Sequence, residues 1–310
     1  MTATTLVRMP RKSMARIAAS GAVTMALVAG MLTGSWSTAA EAAVPPGETL
    51  QDFAARGGVQ DSPENLTMPS PGVSRVHLDQ GRMNGYKVRS SIATATEATL
   101  TYRVLVPRDT HDNGLSLIDL KMPGLAGAPA DQSLWYASSG GTLQPDSFSV
   151  RLHARKSSSY SVGHPWWDAY IYAPYAAGKT FNTWGISVPI STGTNGAGER
   201  MRIPVDRWFD VQIHVKLNTP GVNDGLLNIW IDGQQGIRLS DVRWRPAGVT
   251  TPLNLLMAET FYNSPGAPKD AHIDFADFLI TPGAPTTTVA APVVEPAPAP
   301  SPEPVVEPTP

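Results

Sequence analysis

The chain has 310 residues, 24 Lys and Arg against 26 Asp and Glu, a formal net charge of −2, and no cysteine. Near-neutrality excludes a nucleic-acid partner held by a broad basic field. The lack of cysteine excludes disulfides, thiol nucleophiles and Cys-ligated metal sites, so a large hydrophobic core must hold the fold alone.

In chain order, Arg8, Arg11, Lys12 and Arg16 precede an apolar, Ala/Gly-rich run over residues 17–32. Ala40-Glu41-Ala42 follows as a small-x-small cleavage site. This pattern predicts a secretory signal over residues 1–42 and a mature chain that starts at Ala43, with no membrane span after cleavage. The expected location is extracellular or within the cell envelope. Residues 43–70 are rich in Pro and Gly and read as a flexible N-terminal arm. Residues 71–281 read as one β domain.

Within that domain, residues 98–106 alternate between apolar and polar, and Pro107 ends the strand. Asp109, Asp112 and Asn113 make an oxygen-rich loop. Their spacing matches no EF-hand, so an ordinary polar turn is expected rather than a structural calcium site. Lys121 stands in Asp119-Leu120-Lys121-Met122-Pro123-Gly124-Leu125. The stretch 148–155, Phe-Ser-Val-Arg-Leu-His-Ala-Arg, alternates again, as does 168–173, Asp-Ala-Tyr-Ile-Tyr-Ala. Long loops are expected over 122–145 and 157–167, where binding residues are commonly carried. The glycine-rich run 193–198 precedes no helix and is a loop, not a phosphate cradle. Strands follow over 211–217, 226–231, closed by Asp232-Gly233, then 253–257 and 273–280. No long amphipathic helix is evident. Residues 282–310 carry ten of the 29 prolines and no aromatic residue, which predicts a disordered Pro-rich tail. Many short strands joined by Gly/Pro turns predict an all-β sandwich.

Side chains in a strand alternate between two faces. Ser149, Arg151 and His153 therefore share one face of their strand, and Tyr170 and Tyr172 share one face of theirs. Arg, Ser and paired Tyr on one side of a sheet suit an anionic, hydroxyl-rich ligand, and Lys121 is the expected third element. Setting aside the four basic residues and one acidic residue of the first 42, and the three Glu of the last 29, leaves 20 basic and 22 acidic residues. An anionic substrate must then be met by local charge. Each feature also has a plainer explanation. Paired tyrosines commonly pack a sheet, and Arg151, His153, Lys121 and Lys269 could be ordinary strand or turn residues. Trp166 and Trp167 suit stacking on sugar rings, or equally a hydrophobic anchor for the loop.

The chain resembles the alginate and glucuronan lyases of polysaccharide lyase family 14 and their relatives in family 20. The resemblance is carried in order by Leu100-Thr101-Tyr102-Arg103-Val104, the Lys121 segment, Phe148-Ser149-Val150-Arg151 and Tyr170-Ile171-Tyr172. It continues through Val215-Lys216-Leu217-Asn218-Thr219-Pro220-Gly221, Ile229-Trp230-Ile231-Asp232-Gly233 and Pro268-Lys269-Asp270. The stretch 156–167 makes the Arg-to-Tyr interval longer than the family pattern. The resemblance implies a jelly-roll sandwich whose concave sheet holds a polyuronate. It implies β-elimination without a cofactor by Lys121, Ser149, Arg151, Tyr170 and Tyr172. Elimination takes the proton beside a carboxylate and builds up negative charge, which cations must meet. Arg151 and Lys121 are assigned to that charge, Ser149 to positioning, and a tyrosine to proton transfer, with base and acid undivided. His153, Trp166, Trp167 and Lys269 are the expected substrate contacts, and a monomer is expected. Two other readings share the sandwich: a non-catalytic carbohydrate-binding module of the envelope, and a structural laminin-G-like domain. Convergence of the lysine, arginine and tyrosines in one groove separates the enzyme from both.

Overall fold

Period-two alternation sends one set of side chains from each strand into a shared interior, and two sheets are the structure that can bury it. The computed structural model describes residues 47–108, 110, 119–155, 164–264 and 266–285. Within them, two seven-stranded antiparallel sheets form the sandwich expected from the sequence. The first runs β1 (Val59–Asp61), β4 (Gly85–Ala95), β15 (Leu253–Tyr262), β6 (Leu120–Gly127), β7 (Phe148–Arg155), β8 (Trp166–Tyr172) and β11 (Ile186–Pro189). The second runs β14 (Gln234–Val242), β13 (Gly225–Ile231), β12 (Trp208–Lys216), β5 (Glu97–Leu105), β16 (Ala271–Pro282), β3 (Val73–Leu78) and β2 (Leu66–Ser70). A small hairpin, β9 (Tyr175–Ala176) with β10 (Lys179–Thr180), follows β8.

The core lies between the sheets. Val150 and Leu152 of β7, Trp167 and Ile171 of β8 and Val88 of β4 meet Leu100 and Val104 of β5, Ile213 of β12 and Phe275 of β16. Tyr102 stacks on Phe278 with centroids 5.1 Å apart. The first sheet is unusual in its other face. Strands β6 and β8 are buried at every position, and β7 at all but Arg155. Their outward residues are thus covered too, although many are polar or charged.

Two expectations are corrected here. The 43–70 segment is not a loose arm where it is described. Thr49 caps a short helix, α1 (Leu50–Ala55), through a reciprocal bond with Asp52, and Phe53 packs edge-on against Phe278. Residues further along supply β1 and β2, at one edge of each sheet. The expected 122–145 loop begins later, because residues 122–127 belong to β6. A run reading Met-Pro-Gly looks like a turn, but Pro123 sits where the register of β6 against β7 slips between Lys121 and Gly124. Proline is tolerated at such a bulge. Residues 1–42, the oxygen-rich loop residues Asp109, Asp112 and Asn113, and the tail from 286 onward lie outside the described residues. Among the described residues no helix is long and apolar enough to cross a membrane.

Candidate active site

The outward face of the first sheet carries a groove of about 850 Å³, lined among others by Asp119, Lys121, Arg151, His153, Tyr170 and Tyr172. Its floor is set by strand register. Arg151 pairs with Tyr170 and with Gly124, Ser149 with Tyr172, and Lys121 with His153. The long Arg-to-Tyr interval therefore leaves the pairing of Arg151 with Tyr170 intact. Gly124 permits this approach, since a Cβ there would stand 2.0 Å from the Val150 carbonyl oxygen and 2.5 Å from Arg151 Cα.

The predicted cations and tyrosines converge. Lys121 Nζ lies 3.9 Å from the Tyr170 ring centroid, and the Arg151 guanidinium carbon lies 6.0 Å from it. The Tyr170 and Tyr172 hydroxyls are 3.2 Å apart, with their rings edge to face. Lys121 Nζ is 3.1 Å from His153 Nε2 and 3.4 Å from Asp119 Oδ1. His153 Nε2 also meets Asp119 Oδ1 directly. The Asp119 carboxylate accepts a further bond from Asn263 Nδ2, at 2.6 Å. Asp119 itself holds a left-handed backbone with φ of 55°, an unusual state for a non-glycine residue.

Burial dominates the electrostatics. It brings the Lys121 ammonium down to about 7, against the pull of Asp119 and helped by the repulsion of Arg151. It brings His153 down to about 3, so the ring is neutral in neutral solution despite its Asp119 partner. Burial would raise the Asp119 carboxyl, but the His153 bond, Lys121 and Asn263 outweigh it and hold the group well below the usual carboxylate range. Burial and the Tyr172 hydroxyl push the Tyr170 phenol well above its ordinary value.

The sequence reading missed a second charged group. Glu259, on the outward face of β15, bonds Arg89 Nε at 2.5 Å through one oxygen and Arg151 Nη1 through the other. All three side chains are buried, and the triad carries one net positive charge. Burial alone would raise the Glu259 carboxyl, but Arg151 and Arg89 keep it below its ordinary value. The expected strand at 253–257 stopped two residues short of Glu259. Extending its alternation would have put Leu255, Met257, Glu259 and Phe261 on one face. Asp119 stood inside the quoted Lys121 motif, but nothing in a one-dimensional pattern ties it to His153.

Arg89 and its neighbours also secure the loop that roofs the floor. Arg89 Nη1 donates to the Trp135 carbonyl at 2.9 Å, and Nη2 donates to Ser139 Oγ at 3.0 Å. Ser149 Oγ donates to the Ser138 carbonyl at 2.6 Å, and the Gly141 amide donates to the Tyr172 hydroxyl at 2.8 Å. Ser149 is thus fully buried and holds the loop; its hydroxyl does not line the groove. His153 does line it. Lys269 does not: it stands in the turn beside Gln80, whose amide bonds Asp270. The two tryptophans are a clear correction. Trp166 and Trp167 open β8 rather than ending a loop, and both are under 2 % exposed. Trp167 packs on Phe209 in the core. Trp166 donates to Asp168 at 2.7 Å beneath the Arg200 guanidinium. Neither offers a face to a sugar. Among the described residues no group of three or more His, Asp and Glu is placed to hold a metal ion.

No curated protein sequence matches the chain. Solved structures that share its fold include three alginate lyases. The alginate lyase Aly36B is 19% identical with a TM-score of 0.57, the match covering 76% of this chain and 91% of that one. The marine alginate lyase from Aplysia kurodai is 20% identical with a TM-score of 0.55, covering 72% and 89%. The alginate lyase vAL-1 from Chlorella virus is 16% identical with a TM-score of 0.53, covering 73% and 89%. The sequence profile described as Polysaccharide lyase 14 matches residues 64–278, nearly the whole sandwich, and the chain belongs to that family of polysaccharide lyases.

Proposed function

We propose that the substrate is a polyuronate, alginate or glucuronan, cut by β-elimination with Lys121 as base and Tyr170 as acid. The observation that carries this reading is the convergence of Lys121, Arg151 and Tyr170 on one buried groove floor whose arginine triad is net positive. The structure of an Aly36B mutant in complex with an alginate tetrasaccharide, 18% identical over 77% of this chain and 93% of that one with a TM-score of 0.56, supports an anionic sugar on this fold.

The chemistry runs as follows. Arg151 meets the uronate carboxylate and stabilises the charge that grows there as the adjacent C–H bond breaks. Lys121, in its neutral form, takes that proton on Nζ. The electron pair forms the new double bond as the glycosidic C–O bond breaks. Tyr170 gives its phenolic proton to the leaving oxygen, and the proton on Lys121 restores the phenol directly or through water. Tyr172 holds Tyr170 through the shared hydroxyl contact, and Asp119 with His153 fixes Lys121. Assigning Tyr170 as acid rather than base follows from its raised pKa, which keeps the proton in place until the leaving group needs it.

The test is incubation of the purified protein with glucuronan, polymannuronate and polyguluronate, following the ultraviolet absorbance of unsaturated uronates. A rise on one polymer, lost in Arg151→Ala and Lys121→Met, is the expected result. No rise on any of them, with binding retained, would leave the non-catalytic module standing. We also read the enzyme as an exported monomer whose mature chain begins at Ala43. N-terminal sequencing of the secreted protein and light scattering check both points.

A further inference from the structure

One large aromatic side chain is out of place by ordinary burial rules. Trp184 is 75% exposed, whereas tryptophan is normally well covered. It lines the same groove as Lys121 and Tyr170, on the β11 side.

The segment that carries it is fixed to the floor at two points. Phe181 packs on the Tyr172 ring with centroids 5.4 Å apart. Gly185, with φ of +79°, lies against Tyr170 so closely that a Cβ would stand 3.2 Å from that ring. Between them the Trp184 amide donates to Asn182 Oδ1 at 2.9 Å, and the Gly185 amide donates to the Asn182 carbonyl at 3.1 Å. The indole is therefore exposed by a braced turn, next to the two tyrosines. Lys179 and Asn182 line the same wall. Lys179 has no ion-pair partner among the described residues.

We infer that Trp184, Lys179 and Asn182 form a second sugar subsite, one that takes a uronate ring next to the one being cut. The indole face covers the C–H side of the pyranose, Lys179 meets its carboxylate and Asn182 Nδ2 donates to a hydroxyl. This inference rests on the polyuronate reading of the groove. It assigns sugar stacking to a residue other than Trp166 and Trp167, whose rings are buried.

The test uses Trp184→Ala, Trp184→Phe and Lys179→Ala in the whole protein. Loss of one stacked ring is expected to raise KM for the polymer about tenfold with kcat within about twofold. Trp184→Phe should recover most of the affinity, and Lys179→Ala should reduce the salt dependence of KM. A second readout needs no turnover: in the Lys121→Met background, an intact oligouronate should quench tryptophan fluorescence, and adding Trp184→Ala should abolish the quench. Unchanged KM and quench in Trp184→Ala would overturn the inference, as would a fall in kcat at constant KM, which would make Trp184 a support for Tyr170. A wild-type protein that yields no unsaturated product from any polyuronate overturns the lyase reading instead. In that case a quench lost with Trp184 still supports the subsite.

Discussion

If Lys121 is the base, kcat/KM should fall on the acid side with a midpoint near its value of about 7. Asp119→Asn then gives a prediction with a definite sign. The Asp119 carboxylate, 3.4 Å from Nζ, is the main group that favours the charged amine. Without it, Arg151 and Arg155 still push the other way, so the midpoint must move down. At that separation two unit charges interact by about 5 kcal/mol at an effective dielectric near 20. The Asp119 side chain is 37% exposed, however, and solvent screens much of this. We expect a displacement of about 1–2 pH units, to a midpoint of about 5–6. Asparagine keeps an oxygen toward His153 Nε2 but turns its amide nitrogen toward the Asn263 Nδ2 donor, so the Asn263 amide must rotate, while His153 stays neutral throughout this range. The assay is initial rate of unsaturated uronate formation at limiting substrate from pH 4 to pH 10. A midpoint that stays at 7 would falsify the assignment of Lys121 as base. One that rises would refute the electrostatic argument itself.

Other substitutions separate stability from chemistry. Lys121→Met should abolish activity yet stabilise the fold. The lysine pKa is lowered by folding, so its cost is complete below about 7 and fades as pH rises toward 10.5. The gain in Tm should follow the same window, and a destabilised Lys121→Met at pH 6 would contradict it. Glu259→Gln leaves two buried guanidinium groups facing each other, and breaking such a pair costs about 3–5 kcal/mol. A fall in Tm of only a degree or two would show that the triad is better solvated than its burial implies. Gly124→Ala should be poorly folded, because backbone atoms of β7 occupy the space a methyl needs. Normal thermal unfolding of that variant would count against the tight β6–β7 approach.

Much of this was legible in the chain. Period two gave the strands of both sheets that matter most, and it put Arg151 and His153 on one face and Tyr170 and Tyr172 on another. The strand register then brought the two faces together. What a sequence pattern cannot express is burial of the outer face. The rule that polar alternation means solvent exposure fails at β7, where Ser149 is covered by the loop it bonds and Arg151 and His153 are packed under the side chains of Glu259, Lys121, Asp119 and Tyr170. The same blindness misplaced Trp166 and Trp167. Adjacent tryptophans after a Ser-rich stretch look like a loop anchor, yet alternation sends Trp167 into the core and Trp166 under Arg200. Glu259 and Arg89 lie 170 residues apart, and Asp119 and His153 depend on a bulge and a left-handed residue. Such pairings are tertiary facts.

The covered face also explains how the site divides its work. In water a lysine at 10.5 and a tyrosine at 10.0 are nearly matched, and neither is a useful base in neutral solution. Desolvation disfavours whichever form is charged. For lysine that form is the acid, so its pKa falls; for tyrosine it is the base, so its pKa rises. One physical cause thus drives the two groups apart, in the directions that the proposed roles of Lys121 as base and Tyr170 as acid require. Pairs whose environments separate their pKa values in this way mark the base and the acid of a site. Arg151 brings a guanidinium to the same buried floor, and Glu259 supplies the local compensation. The loop held by Arg89, Ser149 and Tyr172 therefore has a chemical role although none of its residues needs to touch the reacting carbon. On the proposed assignment it holds Tyr172, and through the shared hydroxyl contact Tyr170, in place beside Lys121.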